Sequence, residues 1–400
     1  MGKLVKGLAL SAVASSIVMA GAYKIPEQSI NSMALGAAYV AHTTGADTAY
    51  FNPANMAFMA DKQYMEGGLT LAHLPSNEYN LIAPFSGETD VENILIPNLH
   101  YVANAIGDFR WGVSLTVPGG LTKKWDTPYQ KAFAKEFTLK ILELSPSFSY
   151  KVMDNFSIGG GLRLIYSEGV VKSDAAALGG PAVDMDGDTV EFGYNLALAY
   201  RPTNDINFAV TYRSNVDLNE EGKATITAGA TTLYNGDASV EIPLPAALNI
   251  ALSKTWNDKF TLEFNYERTY WSEYKQLEFK STPLPITPKN WKDTNTFRLG
   301  ATMKMDNKLT MMMGFAIDET PVPEATLGFE LPDSDAKVFS MGFRYQQTEN
   351  LSWGAAFLYD SKESRSMTRG VNKGNPVLIN GGSFEEGGAF LTTIGMAYEF

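Results

Sequence analysis

The last eleven residues, Phe390–Phe400, read FLTTIGMAYEF. Phe390, Thr392, Ile394, Met396, Tyr398 and Phe400 fall on one side of an extended chain. Leu391, Thr393, Gly395, Ala397 and Glu399 fall on the other. A period of two belongs to a β-strand, whose successive side chains point to opposite faces. A strand that ends on an aromatic residue is typical of bacterial outer-membrane barrels, where an aromatic girdle marks the membrane interface. The stretch predicts lipid outside the sheet and a polar interior.

The same alternation recurs toward the amino terminus. Leu351, Trp353, Ala355, Phe357 and Tyr359 form one apolar row, and Phe339, Met341, Phe343 and Tyr345 another, with Arg344, Gln346 and Asp360 opposite. Phe297, Leu299, Ala301 and Met303 oppose Arg298, Gly300, Thr302 and Lys304. Phe260, Leu262, Phe264 and Tyr266 oppose Thr261, Glu263, Asn265 and Glu267. A soluble sandwich alternates too, but rarely sustains Phe, Trp, Met and Tyr against Arg and Glu through so many strands. In lipid an open sheet edge is not viable, so the sheet must close.

Short turns punctuate these rows at Gly107-Asp108, Met153-Asp154-Asn155, Asn204-Asp205, Asn257-Asp258, Asp306-Asn307 and Glu349-Asn350. They recur at roughly the length of two membrane strands plus an outer loop. Six such turns imply seven hairpins, hence about 14 antiparallel strands in an all-β transmembrane barrel. Longer outer loops are expected at Pro75–Asn93, Gly119–Glu136, Lys172–Asp188, Glu220–Asp237, Ser281–Asp293, Asp318–Asp335 and Lys362–Gly387.

Composition agrees. Hydrophobic residues make up 45% of 400, with 22 Phe and 19 Tyr, yet mean hydropathy is only −0.12, as alternation requires. Beyond the first twenty residues no apolar run is long enough for a membrane helix. Residues 1–20 read as a secretory signal peptide. Lys3 and Lys6 precede an apolar run from Leu8 to Met19, and cleavage is expected after Ala20 or Ala22. Cysteine is absent, which excludes disulfides and thiolate chemistry. A net charge of −12 argues against nucleic acid.

Residues 21–61 have another character. They are rich in Ala, Gly, Ser and Thr, with a short helix expected around Ser32–Val40 and a turn at Asn52-Pro53-Ala54-Asn55 after Phe51. Little charge, together with Tyr23, Ile25, Leu35, Tyr39 and Tyr50, suits a plug better than a solvated tail. The expected organisation is a leader (1–20), an N-terminal hatch inside the lumen (21–61) and the outer-membrane barrel (62–400).

The chain resembles the FadL family of outer-membrane transporters of long-chain fatty acids and other hydrophobic molecules. The resemblance rests on Asn52-Pro53-Ala54, on Pro288-Lys289-Asn290-Trp291-Lys292-Asp293-Thr294 leading into Arg298-Leu299-Gly300, and on Asp318 through Thr326 followed by Leu331-Pro332-Asp333-Ser334-Asp335. It implies a 14-stranded barrel blocked by its hatch. Hydrophobic substrate would bind among outer loops, pass to an inner site, and leave sideways where the third strand kinks inward. Such passive uptake makes physical sense, since each methylene exposed to water costs about 0.8 kcal/mol. The partners implied are a hydrophobic small molecule, membrane lipid and lipopolysaccharide; a monomer is expected, with no cofactor and no metal.

Candidate parts follow. A third strand over Arg110–Val117, with Trp111, Val113, Leu115 and Val117 outward, ends in Pro118-Gly119-Gly120, which marks either the lateral-gate kink or an ordinary strand end. Trp125, Tyr129, Phe133 and Phe137 are spaced for one face of an outer helix bordered by Lys123, Lys124, Lys131 and Lys135. That face either lines a groove for an amphiphilic carboxylate or packs on the rim while its lysines meet lipopolysaccharide phosphates. Arg163, Arg213, Arg298 and Arg344 are candidate lumen cations; Glu191, Glu263, Glu267 and Asp360 share the lumen and would take most of them into ion pairs. The only histidines, His42, His73 and His100, have no metal-ligand spacing and no nucleophile motif beside them, so no enzyme is expected. The alternatives are a polar-solute porin, which should lack a plug, and a surface adhesin or structural barrel.

Overall fold

The protein, seen in a computed structural model, is described over residues 21–372 and 374–400; the expected leader lies outside them. Fourteen strands form one closed antiparallel ladder. They are β1 (Tyr64–Leu74), β2 (Glu92–Val102), β3 (Phe109–Lys123), β4 (Glu136–Met153), β5 (Phe156–Asp174), β6 (Ala182–Thr203) and β7 (Ile206–Arg213). Then come β8 (Ala247–Trp256), β9 (Phe260–Thr269), β10 (Thr294–Lys304), β11 (Leu309–Asp318), β12 (Ala336–Gln346), β13 (Leu351–Lys362) and β14 (Ala389–Glu399). Closure runs through β1 and β14, from Tyr64 opposite Glu399 to His73 opposite Phe390. The Phe400 N–H donates to Gln63 O at 3.0 Å.

Alternation sorts the two faces as expected. Phe264, Phe297, Leu299, Met313, Met341 and Ile394 are exposed on the outer surface. Glu263, Glu267, Arg298 and Thr393 are buried on the inner one. All six short turns join strands at one end of the barrel. Aromatic pairs gather at that end, including Tyr101–Trp111, Trp256–Phe260, Tyr345–Trp353 and Tyr398–Phe400. They form the girdle an interface favours.

Three expectations need correction at the other end. The loop expected over Glu220–Asp237 is a β-hairpin, Val216–Ala228 and Thr231–Leu244, whose first strand pairs with the outer half of β6. Lys172–Asp188 is mostly strand as well, leaving only residues 175–181 between β5 and β6. Strand β3 does not stop at Val117 but continues to Lys123. The reason is common to all three. A membrane strand needs only about ten residues. Above the lipid the outward row meets water and turns polar, as at Asp184, Asp186, Asp217, Asn219 and Glu221, while the inward row stays buried. The lipid-facing apolar signal therefore fades although hydrogen bonding continues.

The ladder is broken at one seam. Strand β2 pairs with β3 only over Leu99–Val102 against Gly112–Leu115. Above this, Val117 and Pro118 stand against Leu142 alone in β4, a β-bulge, and every residue from Thr116 to Lys123 is buried. Val117, expected to face lipid, is therefore turned inward. The two strands meet again only near Asp90 and Lys124, where Asp90 N–H donates to Lys124 O at 3.0 Å.

Residues 21–61 run through the interior. Helix α1 (Ile30–Ala34) starts at Ser29, which shares a reciprocal cap with Ser32. Helix α2 (Thr48–Phe51) leads to a 3₁₀ turn, Pro53–Phe58, with proline at its first position. The wall makes room for this segment with glycine. A Cβ on Gly314 of β11 would lie 2.1 Å from the Leu35 carbonyl carbon, and one on Gly159 of β5 would lie 2.6 Å from Ala54 N. Gly314→Val should expel the segment from its seat and leave the barrel intact. Limited proteolysis should then cut within residues 21–61 many times faster, with circular dichroism unchanged.

Candidate functional site

The interior segment is tied to the wall through its own backbone. The carboxylate of Glu263 on β9 accepts the N–H groups of Val40, Ala41 and His42, at 2.5, 2.9 and 2.8 Å. Asn52 Nδ2 donates to Val40 O at 2.9 Å, and Asn55 Nδ2 donates to Ala41 O at 3.2 Å and Thr43 Oγ1 at 3.0 Å. Asn52 also caps the turn, its Oδ1 accepting from Ala54 N–H at 3.2 Å. The Asn52-Pro53-Ala54-Asn55 turn thus holds the carbonyls of a loop whose amides hold Glu263. Ala54 packs on Ala197 and Ala199, and Phe51 lies edge-on to Tyr39 and Tyr50.

Beside this loop lies a cavity of about 70 Å³, bounded by Lys24, Tyr50, Arg163, Arg213, Glu267 and Arg298 among others. It has room for on the order of five waters. Two carboxylates organise its cations. Glu143 accepts Arg163 Nη2 at 2.8 Å and Arg213 Nη1 at 2.9 Å. Glu267 accepts Lys24 Nζ at 2.8 Å and Arg298 Nη2 at 3.3 Å. Arg213 also lies 3.8 Å from the Tyr50 ring centre. Asp318 and Glu27 also act on Arg298, so the four cations face four carboxyl groups. Arg344 is not part of it; it pairs with Glu66 on β1 and donates to Asn31 of α1.

A second cavity, about 420 Å³, opens among the outer loops between Phe133, Phe137, Val171, Leu277, Phe279 and Leu327. Lys289, paired with Glu330, borders it. The expected amphipathic helix is here reduced to one turn, α3 (Lys131–Ala134), because β3 and β4 extend inward from both sides. Its four aromatics are accordingly divided. Phe133 and Phe137 line the cavity. Trp125 is wholly buried, donating from Nε1 to Phe329 O at 2.8 Å, and Tyr129 packs on Phe85 at 4.4 Å. Of the bordering lysines, Lys123 is buried against Asn77, and Lys124 and Lys131 pair with Glu92 and Asp174. Below the cavity an apolar cluster including Phe137, Ile141, Leu218, Leu244, Trp271 and Tyr23 continues toward the inner site.

Residues 11–400 match the family model described as "Outer membrane protein transport protein (OMPP1/FadL/TodX)". The chain belongs to this family. A FadL-family relative in Salmonella typhi, named long-chain fatty acid transport protein, is 25% identical over 414 residues, covering 90% of this chain and 92% of that one. The crystal structure of a Pseudomonas aeruginosa FadL homologue is similar with a TM-score of 0.81 at 21% identity, covering 94% of this chain and 99% of the other. That of the P. putida toluene transporter TodX gives 0.75 at 18% identity, covering 93% and 98%. At these identities the two structures establish a shared fold. As a FadL-family member the protein is an outer-membrane transport protein with a closed 14-stranded barrel.

Several residues of this FadL-family interior have only a weak signature in the sequence. Arg110, inward on β3, donates to the carbonyls of Met56, Met59, Ala60, Lys62 and Ala103, and so closes the end of the 3₁₀ turn. Lys24 lies in the interior segment, where no strand period marks it, and Glu143 on β4 is not among the carboxylates singled out from the sequence. His42 is pushed down to about 4 by burial, with Arg201 and Lys304 acting the same way, so its imidazole is neutral at physiological pH.

Glu27 behaves oppositely. Burial, with Asp360 and Asp318 adding to it, pushes its carboxyl up to about 8 against the pull of Arg298. Its Oε2 has no hydrogen-bond partner among the described residues. A carboxyl raised in the folded state favours folding when protonated. Docking of the segment should therefore be firmest below about pH 4.5 and weaken as pH rises through about 8. Proteolysis of residues 21–61 should accelerate between pH 5 and pH 9, and Glu27→Gln should flatten the dependence.

Proposed function

We propose that the protein carries hydrophobic molecules, long-chain fatty acids or hydrocarbons, passively across the outer membrane. Residues 21–61 act as a hatch that gates sideways escape through the wall. The observation that carries this reading is the unpaired seam between β2 and β3, lying beside the interior segment and below the apolar outer cavity. An apolar solute gains nothing from a water-filled pore, whereas a gap in the wall delivers it to hydrocarbon. Pro118-Gly119-Gly120 is the kink at that gap. Phe133 and Phe137 contribute the outer groove, and Asn52, Pro53, Ala54 and Asn55 the hatch turn. The relatives named for fatty acids and for toluene bracket the substrate class.

The Arg163, Arg213, Arg298 and Lys24 donors gathered at the inner cavity suit a ligand with a carboxylate head. With room for only a few waters, that cavity takes a head group and no long chain until the hatch shifts. A closed ladder leaves no strand edge to cover, so a monomer suffices. Exposed lysines such as Lys135 supply contacts to lipopolysaccharide phosphate.

The test is uptake into proteoliposomes. Oleic acid should enter faster with the protein than without it, and sugars should cause no osmotic swelling. Swelling with sugars and no oleate uptake would identify a porin instead. Phe137→Glu, which places a charge in the outer cavity, should reduce oleate uptake at least tenfold; a charge stripped of water there costs more than the 1.4 kcal/mol this represents. Asn52→Ala should loosen the hatch by about 1 kcal/mol through the lost cap and change the uptake rate while the barrel's melting profile stays native.

A further inference from the structure

Above Leu115 the edge of β3 has lost β2, yet its backbone groups are not left bare. The Gln28 side chain supplies both halves of a ladder rung: Nε2 donates to Val117 O at 2.8 Å and Oε1 accepts Val117 N–H at 2.9 Å. The remaining Nε2 hydrogen reaches Ile25 O at 2.9 Å, so both amide hydrogens are used. Main chain takes over beyond it. Ile25 N–H donates to Pro118 O at 2.9 Å, Gly120 N–H donates to Tyr23 O at 2.8 Å, and Lys24 bridges Gly119. Hatch residues 23–28 serve β3 as the missing neighbour.

The same residue also reaches β2 at the foot of the seam, where His100 and Ser114 are still ladder partners. Gln28 O lies 2.9 Å from His100 Nε2 on β2, while His100 Nδ1 lies 2.9 Å from Ser114 Oγ on β3. Gln28 and His100 are both buried. On β2 itself, Ala103 N–H points to β3, donating to Trp111 O. Counting back by twos, the N–H of position 97 would point into the gap; Pro97 has none to leave unpaired.

We propose that Gln28 is the positioning residue that couples the hatch to the wall opening, spanning the seam by holding Val117 of β3 through its amide and His100 of β2 through its carbonyl. While Gln28 is seated, the β3 edge of the seam has partners for Val117, Pro118 and Gly120. When the hatch withdraws, Val117 loses both partners and His100 loses the Gln28 carbonyl, keeping only Ser114, in the same movement. Hatch displacement and seam opening are therefore one event. This rests on the transport reading above for its use, but not for its geometry.

The chain has no cysteine, so a single reporter can be placed cleanly. Asn98→Cys puts a thiol on β2 at the seam, where it is buried. Labelling in liposomes by a membrane-partitioning maleimide should be slow in this background. Adding Gln28→Ala should speed it roughly tenfold, the population change expected for losing about one to two net hydrogen bonds. Gln28→Glu keeps an acceptor for Val117 N–H but no donor, and should fall between the two. Should Gln28→Ala fail to fold, the Glu variant carries the comparison. Unchanged labelling in a folded variant overturns the proposal whatever the transport result. The same variants, without the reporter, should take up oleic acid several-fold faster; faster labelling with no uptake by any form supports the coupling and removes the transport reading instead.

Discussion

Hydrocarbon offers no partner to an N–H or a C=O, and the architecture follows from that deficiency. Every strand of the wall must find two neighbours, which forces closure and makes β1 pair with β14 across the whole chain length. One seam violates the rule, between β2 and β3. There residues 23–28 of the interior segment bond the β3 edge, so that segment is a component of the wall. A passage for apolar solutes can exist in such a wall only where something removable meets the backbone's demand.

The polar interior is organised by the same logic applied to side chains. Buried charge is tolerated where it is paired, and removing one partner costs far more than the pair contributes. Glu143 and Glu267 therefore act as fixed points around which Arg163, Arg213, Lys24 and Arg298 are arranged. Lys24 belongs to the interior segment and the others to the wall, so the inner cavity is assembled from both. Glu263 makes a different attachment, to backbone amides alone, which holds the hatch without demanding a particular side chain from it.

Much of this was legible in the chain. Parity placed Arg163, Arg213, Arg298 and Arg344 inside, and Asp/Asn turns counted the strands, because lipid imposes a two-residue code on every segment that crosses it. Where the code lapses, reading fails. The outer hairpin Val216–Leu244 looked like a loop because its outward row, with Asp217, Asn219, Glu221 and Lys223, meets water where a membrane strand would show large apolar groups to lipid. Trp125 and Phe137 shared a helical spacing but belong to a buried loop and a strand, since short-range spacing cannot reveal that β3 continues past its glycines.

The amino-acid sequence alone determined the solvent, the strand number, the closed topology and the presence of a distinct interior segment. Each of these is written in local periodicity, which acts over a few residues. Only the tertiary structure decided which cations share a cavity, that β2 and β3 part above Leu115, and that Gln28 stands in the breach. Those depend on residues scores of positions apart meeting inside the barrel, and no local pattern encodes such encounters.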